Sequence, residues 1–376
     1  MTDTAVVLLR EVAAANGRRI GFAQLNAEKS LNSLSLPMIE ILEPALRQWA
    51  ADPDIAMVVL HGAGEKALCA GGDIRSLYQA MREHPGALPN PPNLEFFSRE
   101  YRLDHDIHEF PKPFMVWGSG IVMGGGLGLM AGASHRVVTE TSRVAMPEIT
   151  IGLFPDVGGS YFLSRMPRAY GLFLALSGAS INGHDLKLTG LADHFVKSTD
   201  RDAVFAALAS VDWTADAAAN AALLTQLLEG FGAQAAAALP ASNLETHRAE
   251  LERLTAGTTL AQVHAAITGY QGDDAWLAKA AKSLAAGSPT TAALVWALLE
   301  RARGMSLADV FRMELIVALQ CCAHADFVEG VRALLIDKDN RPNWSPATLD
   351  AVTAEHVAAH FVAPVWPTGT HPLADL

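Results

Sequence analysis

Alternating strand and helix patterns dominate the first 200 residues of the chain. Residues 5–12 and 19–25 are predicted strands, and the Asn-Gly pair at residues 16–17 predicts a hairpin turn between them. A helix with apolar residues at three-to-four spacing begins near residue 35, and residues 55–60 form a continuous apolar run. Such a run is typical of a strand covered on both faces. The order strand, helix, strand predicts a parallel sheet with right-handed crossovers and helices on its faces.

The pattern changes near residue 200. Strand signatures recur at residues 114–118 and 136–139, but from residue 202 onward the chain is rich in alanine and leucine and shows no strand alternation. Helices are predicted up to about residue 335, and the proline-rich segment 364–372 is expected to be loosely ordered. We therefore predict two domains, an α/β core over residues 1–200 and a mostly helical region over residues 201–376.

One uncharged segment has the length of a membrane span. Residues 115–133 contain no charged side chain, but glycine is frequent and three glycines are consecutive. That composition is poor for one continuous helix. We predict a buried strand, a glycine turn and a buried helix here, and no membrane partner.

Composition narrows the range of partners and compartments. The formal net charge of −12 argues against nucleic acid or an anionic membrane surface as the main partner. The cysteines, Cys69, Cys321 and Cys322, form neither a disulfide framework nor a metal-binding spacing, which indicates a reducing compartment. No signal peptide is evident, and a cytoplasmic location is expected.

Two acids interrupt an otherwise apolar or glycine-rich stretch, residues 146–159. Glu148 and Asp156 have no Lys or Arg in this stretch to pair with, and an ionised carboxylate is costly to bury unless it is paired or used. Gly152 and Pro155 lie between them. The acids therefore cannot share one face of a straight helix, and a bend can direct both into one cleft. Taken alone, the stretch is equally consistent with two structural, capping acids.

Two glycine clusters follow predicted strands upstream of these acids. One is Cys-Ala-Gly-Gly-Asp at residues 69–73, and the other is the triple glycine at residues 124–126. Backbone N–H groups in such turns are free, and glycine lets a ligand approach them closely. Two converging turns would provide two donors for one oxygen, as in an oxyanion hole, whereas the alternative is that the glycines only make tight turns. Neither cluster matches a dinucleotide or triphosphate motif.

The motifs taken in order resemble the crotonase (enoyl-CoA hydratase/isomerase) superfamily. They are Asn-Ser-Leu at 32–34, Cys-Ala-Gly-Gly-Asp-Ile at 69–74, Gly-Ile-Val-Met-Gly-Gly-Gly at 120–126 and Met-Pro-Glu at 146–148. A closer resemblance to the 3-hydroxyisobutyryl-CoA hydrolases comes from segments 98–101, 146–159 and 329–339, the last followed by Trp344. The resemblance implies the crotonase-like (ClpP/crotonase) α/β fold, a spiral core of ββα units with a helical C-terminal region.

The resemblance also implies roles for individual residues. The N–H groups of Gly72 and Gly125 would form the oxyanion hole around a thioester oxygen. Glu148 would be the catalytic carboxylate, as nucleophile or as general base for water, and Asp156 would assist. Glu100 and Gly125 match positions lining the acyl pocket, together with Glu148 and Asp156. The positions that match the superfamily's coenzyme A contacts are Lys29, Ser30, Leu31, Ala70, Gly71, Asp73 and Ile74.

One departure from the superfamily pattern separates two activities. Enoyl-CoA hydratases use two glutamates, and the position of the first is Gly128 here. Addition of water across a double bond divides its proton transfers between paired acids, whereas thioester hydrolysis needs one base or nucleophile, an oxyanion hole and a leaving thiolate. We therefore expect a hydrolase of a short branched 3-hydroxyacyl-CoA, above all 3-hydroxyisobutyryl-CoA, as in valine breakdown. The alternatives are an enoyl-CoA hydratase or isomerase and a catalytically silent acyl-CoA-binding protein.

The resemblance finally implies an acyl-CoA as the small-molecule partner. No metal or redox cofactor is implied, because coenzyme A is part of the substrate. Superfamily members often form trimers and hexamers, so a homo-oligomer is one expectation. The alternative is that the long C-terminal region replaces or blocks those contacts.

Overall fold

The computed structural model describes residues 5–376, which fall into two compact units. Each unit is assembled from segments that alternate along the chain. Unit 1 contains the described residues up to Gly72, Leu103–Val144 and Ile181–Ser242, and unit 2 contains Asp73–Arg102, Ala145–Ser180 and Asn243–Leu376. The sequence predicts a single boundary near residue 200, and its assignment of acyl-CoA binding and catalysis to residues 1–200 stays a prediction.

Two β-sheets organise the first half of the chain. The strands are β1 Val7–Ala13, β2 Arg19–Leu25, β3 Ile55–Gly62, β4 Ala67–Cys69, β5 Phe114–Gly118, β6 Ile121–Met123, β7 His135–Val138, β8 Arg143–Ala145 and β9 His194–Phe195. The larger sheet has the order β1-β2-β3-β5-β7-β9, and the smaller has the order β4-β6-β8. β1 and β2 form the predicted antiparallel hairpin, and the later neighbours in the larger sheet pair in parallel.

Continuous apolar runs account for the central strands. Every residue of β3 and of β5 is buried, as predicted for a sheet covered on both faces. The uncharged segment that follows forms β6 and a short helix, with Gly120 and Gly124 at positive φ before and after β6. Its glycines therefore make turns rather than one long helix. Across residues 5–376, no helix combines the length and hydrophobicity needed to cross a bilayer.

Helices make up most of the chain after β9, as the change in composition near residue 200 predicts. In chain order the helices are α1 Leu36–Ala51, α2 Ile74–Glu83, α3 Pro91–His108, α4 Gly125–Ala131, α5 Gly159–Arg165, α6 Arg168–Ser177, α7 Gly183–Leu188, α8 Arg201–Leu208, α9 Ala217–Ala235, α10 Asn243–Thr246, α11 Arg248–Leu254, α12 Leu260–Thr268, α13 Ala275–Ala286, α14 Pro289–Ala302, α15 Leu307–Ala323, α16 Ala325–Val331 and α17 Ala354–Ala359. A π-helical turn, Arg332–Ile336, follows α16.

The core of unit 1 joins its sheet to the first alanine- and leucine-rich helices. Phe22, Met57 and Trp117 from the central strands share one apolar cluster with Leu208 of α8 and Leu224 of α9. The leucines of these helices recur at helical spacing, so one face of each can be buried against the sheet. Because this face packs against the sheet, α8 and α9 belong to unit 1 although they lie beyond the change in composition near residue 200.

The expectation of loose order for residues 364–372 is wrong at both ends of that segment. Pro364 is buried, and the carbonyl oxygen of Pro372 accepts a hydrogen bond from Arg102 of α3 at 3.0 Å. Directly beyond it, Leu373 is fully buried. Arg312 of α15 donates to the Leu373 carbonyl oxygen at 2.9 Å. The chain end is therefore held by two helices of unit 2.

Candidate active site

The two glycine clusters lie side by side in unit 1. β4 and β6 pair in parallel, and each strand leads into one of the clusters. A Cβ atom on Gly126 would collide with the carbonyl oxygen of Cys69, and one on Gly71 would lie 3.5 Å from the carbonyl oxygen of Met123. The two turns therefore converge, and only a residue without a side chain fits at position 126.

Gly72 and Gly125 each present a backbone N–H that has no acceptor in the described part of the chain. Gly125 is the first residue of α4, where the N–H group has no carbonyl one turn earlier to donate to. Gly72 forms an isolated parallel bridge with Leu34, whose own N–H donates to the Gly71 carbonyl at 2.8 Å. Free, fixed donors of this kind can stabilise negative charge on an oxygen. Their assignment to an oxyanion hole stays a proposal.

The segment around Lys29 is tied to the first glycine turn. The carbonyl oxygen of Leu31 accepts a hydrogen bond from the N–H of Ala70 at 3.0 Å, and Leu31 adopts a φ of 54°. Lys29 and Ser30 belong to a 3-10 turn and are exposed, and the Ser30 hydroxyl donates to the Ala27 carbonyl. The structure thus brings Leu31 and Ala70 together, whereas Lys29 lies at the surface of unit 1. Their contacts to coenzyme A stay predictions.

Asp73 and Ile74, the other two residues predicted to contact coenzyme A, begin α2 in unit 2. The Asp73 carboxylate accepts hydrogen bonds from Ser76, at 3.2 Å from the backbone nitrogen and at 2.6 Å from the hydroxyl oxygen. This is the standard N-cap arrangement. Asp73 therefore has a structural role that the sequence did not predict.

The acids of the stretch 146–159 are buried in unit 2, and the predicted bend lies between them. Glu148 is 6% exposed and Asp156 is 4% exposed. The backbone turns at Gly152, which has a φ of 74° and whose Cβ would collide with the backbone of Asp326 in α16. Glu314 rather than Asp156 caps α5, because its carboxylate accepts the hydrogen bonds from the first turn of that helix. The capping interpretation of Asp156 is therefore wrong.

Tyr101 of α3 fixes the carboxylate of Asp156. Its hydroxyl donates to Oδ2 of Asp156 at 2.7 Å. Burial, reinforced by the charge of Asp156, holds the pKa of Tyr101 well above its ordinary value, so this hydroxyl keeps its proton. Burial also raises the pKa of Asp156 to about 6, although the hydrogen bond from Tyr101 opposes that shift. Glu100, the residue before Tyr101, is 2% exposed.

Glu148 differs from Asp156 because one of its oxygens is free. Oε2 is buried and has no hydrogen-bond partner among residues 5–376. Burial, and then the nearby charge of Asp156, raise the pKa of Glu148 well above its ordinary value. A buried, unpaired carboxyl group with a raised pKa is suited to proton transfer or to attack on an electrophile.

Sequence analysis assigned no role in the site to two members of this buried cluster, Tyr101 and Glu314. Glu314 of α15 accepts hydrogen bonds from the backbone nitrogens of Gly158 at 2.8 Å and Ser160 at 2.9 Å. Burial raises the pKa of Glu314 to about 8. A signal for Glu314 existed, because it is an isolated acid in an otherwise apolar helical run. Tyr101 gave no comparable signal.

A metal site has no support in the described residues. Within residues 5–376, no group of three or more histidine, cysteine, aspartate or glutamate side chains could hold a metal ion. The expectation that no metal or redox cofactor is needed stays a prediction.

Comparison with known proteins gives consistent results over most of the chain. A family model described as enoyl-CoA hydratase/isomerase matches residues 20–361. The mitochondrial 3-hydroxyisobutyryl-CoA hydrolase of Danio rerio is 39% identical over 347 residues, which cover 91% of this chain and 87% of that protein. The corresponding Homo sapiens enzyme is 36% identical, with 96% of this chain and 89% of that protein covered.

Two similar solved structures have different names. A carnitinyl-CoA dehydratase from Mycobacterium thermoresistibile is 36% identical, with a TM-score of 0.83 and coverage of 97% of this chain and 98% of that chain. An enoyl-CoA hydratase from Rhodobacter sphaeroides is 34% identical, with a TM-score of 0.80 and coverage of 95% and 97%. The similar proteins therefore share a fold and a class of thioester but carry names for two kinds of reaction.

The cytoplasmic location expected from the sequence is wrong. The curated relatives are named as mitochondrial enzymes. Thiols that form no disulfide framework indicate a reducing environment, and that property does not distinguish one reducing compartment from another.

Proposed function

The chain belongs to the enoyl-CoA hydratase/isomerase family, and we propose on this basis that it hydrolyses 3-hydroxyisobutyryl-CoA to 3-hydroxyisobutyrate and coenzyme A. The crotonase-like α/β fold implied by the sequence motifs is confirmed by the solved structures that match almost the whole chain. The relatives named for this hydrolysis are 35–39% identical over about 90% of the chain. We further propose that the reaction serves valine breakdown.

The observation that favours hydrolysis over hydration is the number of carboxyl groups available for proton transfer. Position 128, where the resemblance places the first glutamate of a hydratase, is a glycine within α4. Among the residues proposed to act, Glu148 alone has a buried oxygen without a partner, since Oδ2 of Asp156 is held by Tyr101. One free carboxyl group suits thioester hydrolysis, whereas hydration divides its proton transfers between two.

In the proposed reaction, the N–H groups of Gly72 and Gly125 bind the thioester oxygen and stabilise the negative charge that develops on it. Glu148 acts on the thioester carbon in one of two ways. As a nucleophile, its carboxylate expels the coenzyme A thiolate and forms a mixed anhydride, which water then hydrolyses. As a general base, it takes a proton from the water that attacks the same carbon.

Asp156 assists Glu148 through its charge in this proposal. Burial is the main cause of the raised pKa of Glu148, and the charge of Asp156 raises that pKa further, so Asp156 makes the Glu148 carboxylate a stronger base once that group is ionised. Tyr101 stabilises the ionised form of Asp156 through its hydrogen bond. The acyl-binding role of Glu100 and the coenzyme A contacts near Lys29 are part of the same proposal.

The first experiment separates hydrolysis from hydration. The purified chain is assayed for thiol release from 3-hydroxyisobutyryl-CoA and for hydration of crotonyl-CoA under the same conditions. We expect thiol release to be the faster reaction. Faster hydration would favour the second candidate, a hydratase, which the names of the two similar solved structures support. Binding of acyl-CoA without either reaction would indicate a silent binding protein.

The second experiment tests Glu148. Glu148→Gln keeps the size of the side chain but removes its base, so kcat should fall by about 100-fold or more. Asp326→Asn is the matched control, because Asp326 is also a buried carboxyl group of unit 2 and accepts hydrogen bonds from Ser288 and Ser345. Circular dichroism should show both variants folded. A fully active Glu148→Gln protein would exclude the proposed role.

The third experiment tests for nucleophilic attack by Glu148, which is demonstrated if Glu148 itself acquires an oxygen from water. A single turnover in ¹⁸O-water, followed by mass spectrometry of the peptide that contains Glu148, follows the oxygen of the attacking water. Attack of water on the acyl carbon, either of the thioester or of an anhydride, places the label in the acid product and leaves both oxygens of Glu148 unlabelled. Attack of water on the Glu148 side of the anhydride would instead place the label in Glu148.

A further inference from the structure

The turn that connects Asp156 to α5 has a strained backbone. Val157 has a φ of 51° and is 2% exposed, and Gly158 after it has a φ of 83°. Valine is β-branched, and such residues are rarely found at positive φ. A conformation of this kind persists only where the surrounding structure holds it in place. The turn therefore needs support from outside its own sequence.

Glu314 provides that support from the middle of α15. The two oxygens of its carboxyl group accept hydrogen bonds from the N–H groups of Gly158 at 2.8 Å and Ser160 at 2.9 Å. These are first-turn donors of α5, which have no acceptor within their own helix. Glu314 is completely buried, so water does not compete for these bonds. The strained residue is thus followed immediately by two anchored backbone groups.

The same turn begins at Asp156. The N–H of Gly159 donates to the backbone carbonyl of Asp156 at 2.7 Å, and Tyr101 holds the carboxylate on the other side at 2.7 Å. We propose that Glu314 is a positioning residue, which holds the turn of residues 156–160 and through it keeps the Asp156 carboxylate in reach of Tyr101. This proposal rests on the proposed function for the catalytic importance of Asp156.

A simple helix cap would not explain the choice of a glutamate here. Neutral serine, threonine or asparagine side chains cap helices well, and a carboxyl group completely removed from water is expensive to ionise. The acid is also close enough to Asp156 for the two charges to repel each other. Two acceptor oxygens on one rigid group are, however, what two parallel N–H donors need.

The test is a double-mutant cycle between Glu314 and Val157. Glu314→Gln leaves one oxygen and one NH₂ group, so one backbone N–H loses its acceptor. We expect kcat to fall by about tenfold or more, with KM changed by less than about threefold, because the loss affects the reacting groups rather than binding. Val157→Gly removes the backbone penalty at positive φ. In that background the effect of Glu314→Gln on kcat should be at least about threefold smaller.

A control and a structural readout complete the test. Asp326→Asn again serves as the matched removal of a buried carboxylate from unit 2. A crystal structure of Glu314→Gln should show the turn displaced and the hydrogen bond from Tyr101 to Asp156 broken. Retention of that hydrogen bond would overturn the proposal whatever the activity, and so would an equal loss of kcat in both backgrounds. If the wild-type chain releases no thiol, the proposed function fails and the crystal structure alone decides about Glu314.

Discussion

Glu148, Asp156 and Glu314 place three carboxyl groups in one buried region of unit 2, where burial raises the pKa of each. The hydrogen bonds around them divide their roles. Tyr101 holds Asp156, two backbone N–H groups hold Glu314, and Oε2 of Glu148 is left without a partner in the described chain. The arrangement leaves one carboxyl group available for chemistry and fixes the other two.

These raised pKa values predict how stability changes with pH. The pKa of Glu314 is raised from 4.5 to about 8, so the native state holds a proton that the unfolded chain has already released at pH 7. The stabilisation is fully present below pH 4.5 and is lost as the pH rises through 8. The slope is at most about 1.4 kcal/mol per pH unit for each group. We expect the melting temperature to fall between pH 7 and pH 9, and to fall less in Glu314→Gln.

Glu329→Gln is the control for this prediction. The hydrogen bonds from Arg332 lower the pKa of Glu329, so this acid is ionised in both states throughout that pH range. Its variant should show the same fall in melting temperature between pH 7 and pH 9 as the wild-type chain. A fall of the same size in Glu314→Gln would show that Glu314 does not titrate in this range.

The candidate site residues proposed from the sequence are those that stand out against their own neighbours. Glu148 and Asp156 are acids within an apolar stretch, and Gly72 and Gly125 belong to glycine clusters between strand and helix. Tyr101 and Glu314 reach the cluster from segments 55 and 158 positions away from Asp156, and a tyrosine in a helix is ordinary. Only the fold reveals that these residues meet. The capping role of Asp73 was not predicted, because the family resemblance assigned this residue to coenzyme A binding.

At the scale of elements, the strands were predicted better than the helices. β3 and β5 are buried on both faces, so their apolar runs are unbroken and easy to detect. The bounds of α3 were not predicted, and this helix carries the buried acids Glu100 and Asp104 among its apolar residues. Acids on a buried face weaken the apolar periodicity on which helix prediction depends.

The start of α14 links a helix cap to the backbone next to Glu148. Ser288 accepts a hydrogen bond from Thr291 N–H at 3.0 Å, and its hydroxyl donates to Asp326 at 2.6 Å. Its own N–H donates to the Ile149 carbonyl at 3.0 Å. Ser288→Ala should lower the free energy of unfolding by about 2–3 kcal/mol, because it removes a cap and also a donor to a buried carboxylate. Urea unfolding would measure the loss.

Ser306→Ala is the matched control at the start of α15. Ser306 also caps its helix, accepting from Asp309 N–H at 3.1 Å, but it is exposed. Its replacement should lower the free energy of unfolding by about 1 kcal/mol. Because the Ser306 hydroxyl also donates to the exposed carboxylate of Asp309 at 2.7 Å, equal losses in the two variants would show that burial adds nothing to the bond from Ser288 to Asp326.

At the scale of the whole molecule, sequence order and compact units do not coincide. Unit 2 contains the stretch with Glu148 and Asp156 from the first half of the chain together with helices from the second half. The change of composition near residue 200 is real, but composition reports which elements form and not which elements pack together. A cut at residue 200 would therefore divide both units.

The chain end belongs to the fold of unit 2, which a pair of substitutions can test. Leu373 is completely buried, and Leu373→Ala should lower the free energy of unfolding by about 2–5 kcal/mol. Val365 is 89% exposed, so Val365→Ala should change it by less than about 0.5 kcal/mol. Thermal or urea unfolding of the two variants provides the comparison. If both substitutions change the free energy of unfolding by similarly small amounts, the chain end does not unfold cooperatively with the rest of unit 2.

Burial of the three cysteines has a practical consequence for measuring this reaction. Cys69, Cys321 and Cys322 are all enclosed, and burial raises the pKa of Cys321 and brings that of Cys322 to about 12. Almost no thiolate of Cys321 or Cys322 is therefore present to attack a colorimetric disulfide reagent, and burial shields Cys69 from it. The native protein should leave such a reagent colourless while released coenzyme A develops its colour, and urea should expose three equivalents per chain. The colour that the protein develops in the absence of substrate therefore measures the unfolded fraction of the preparation.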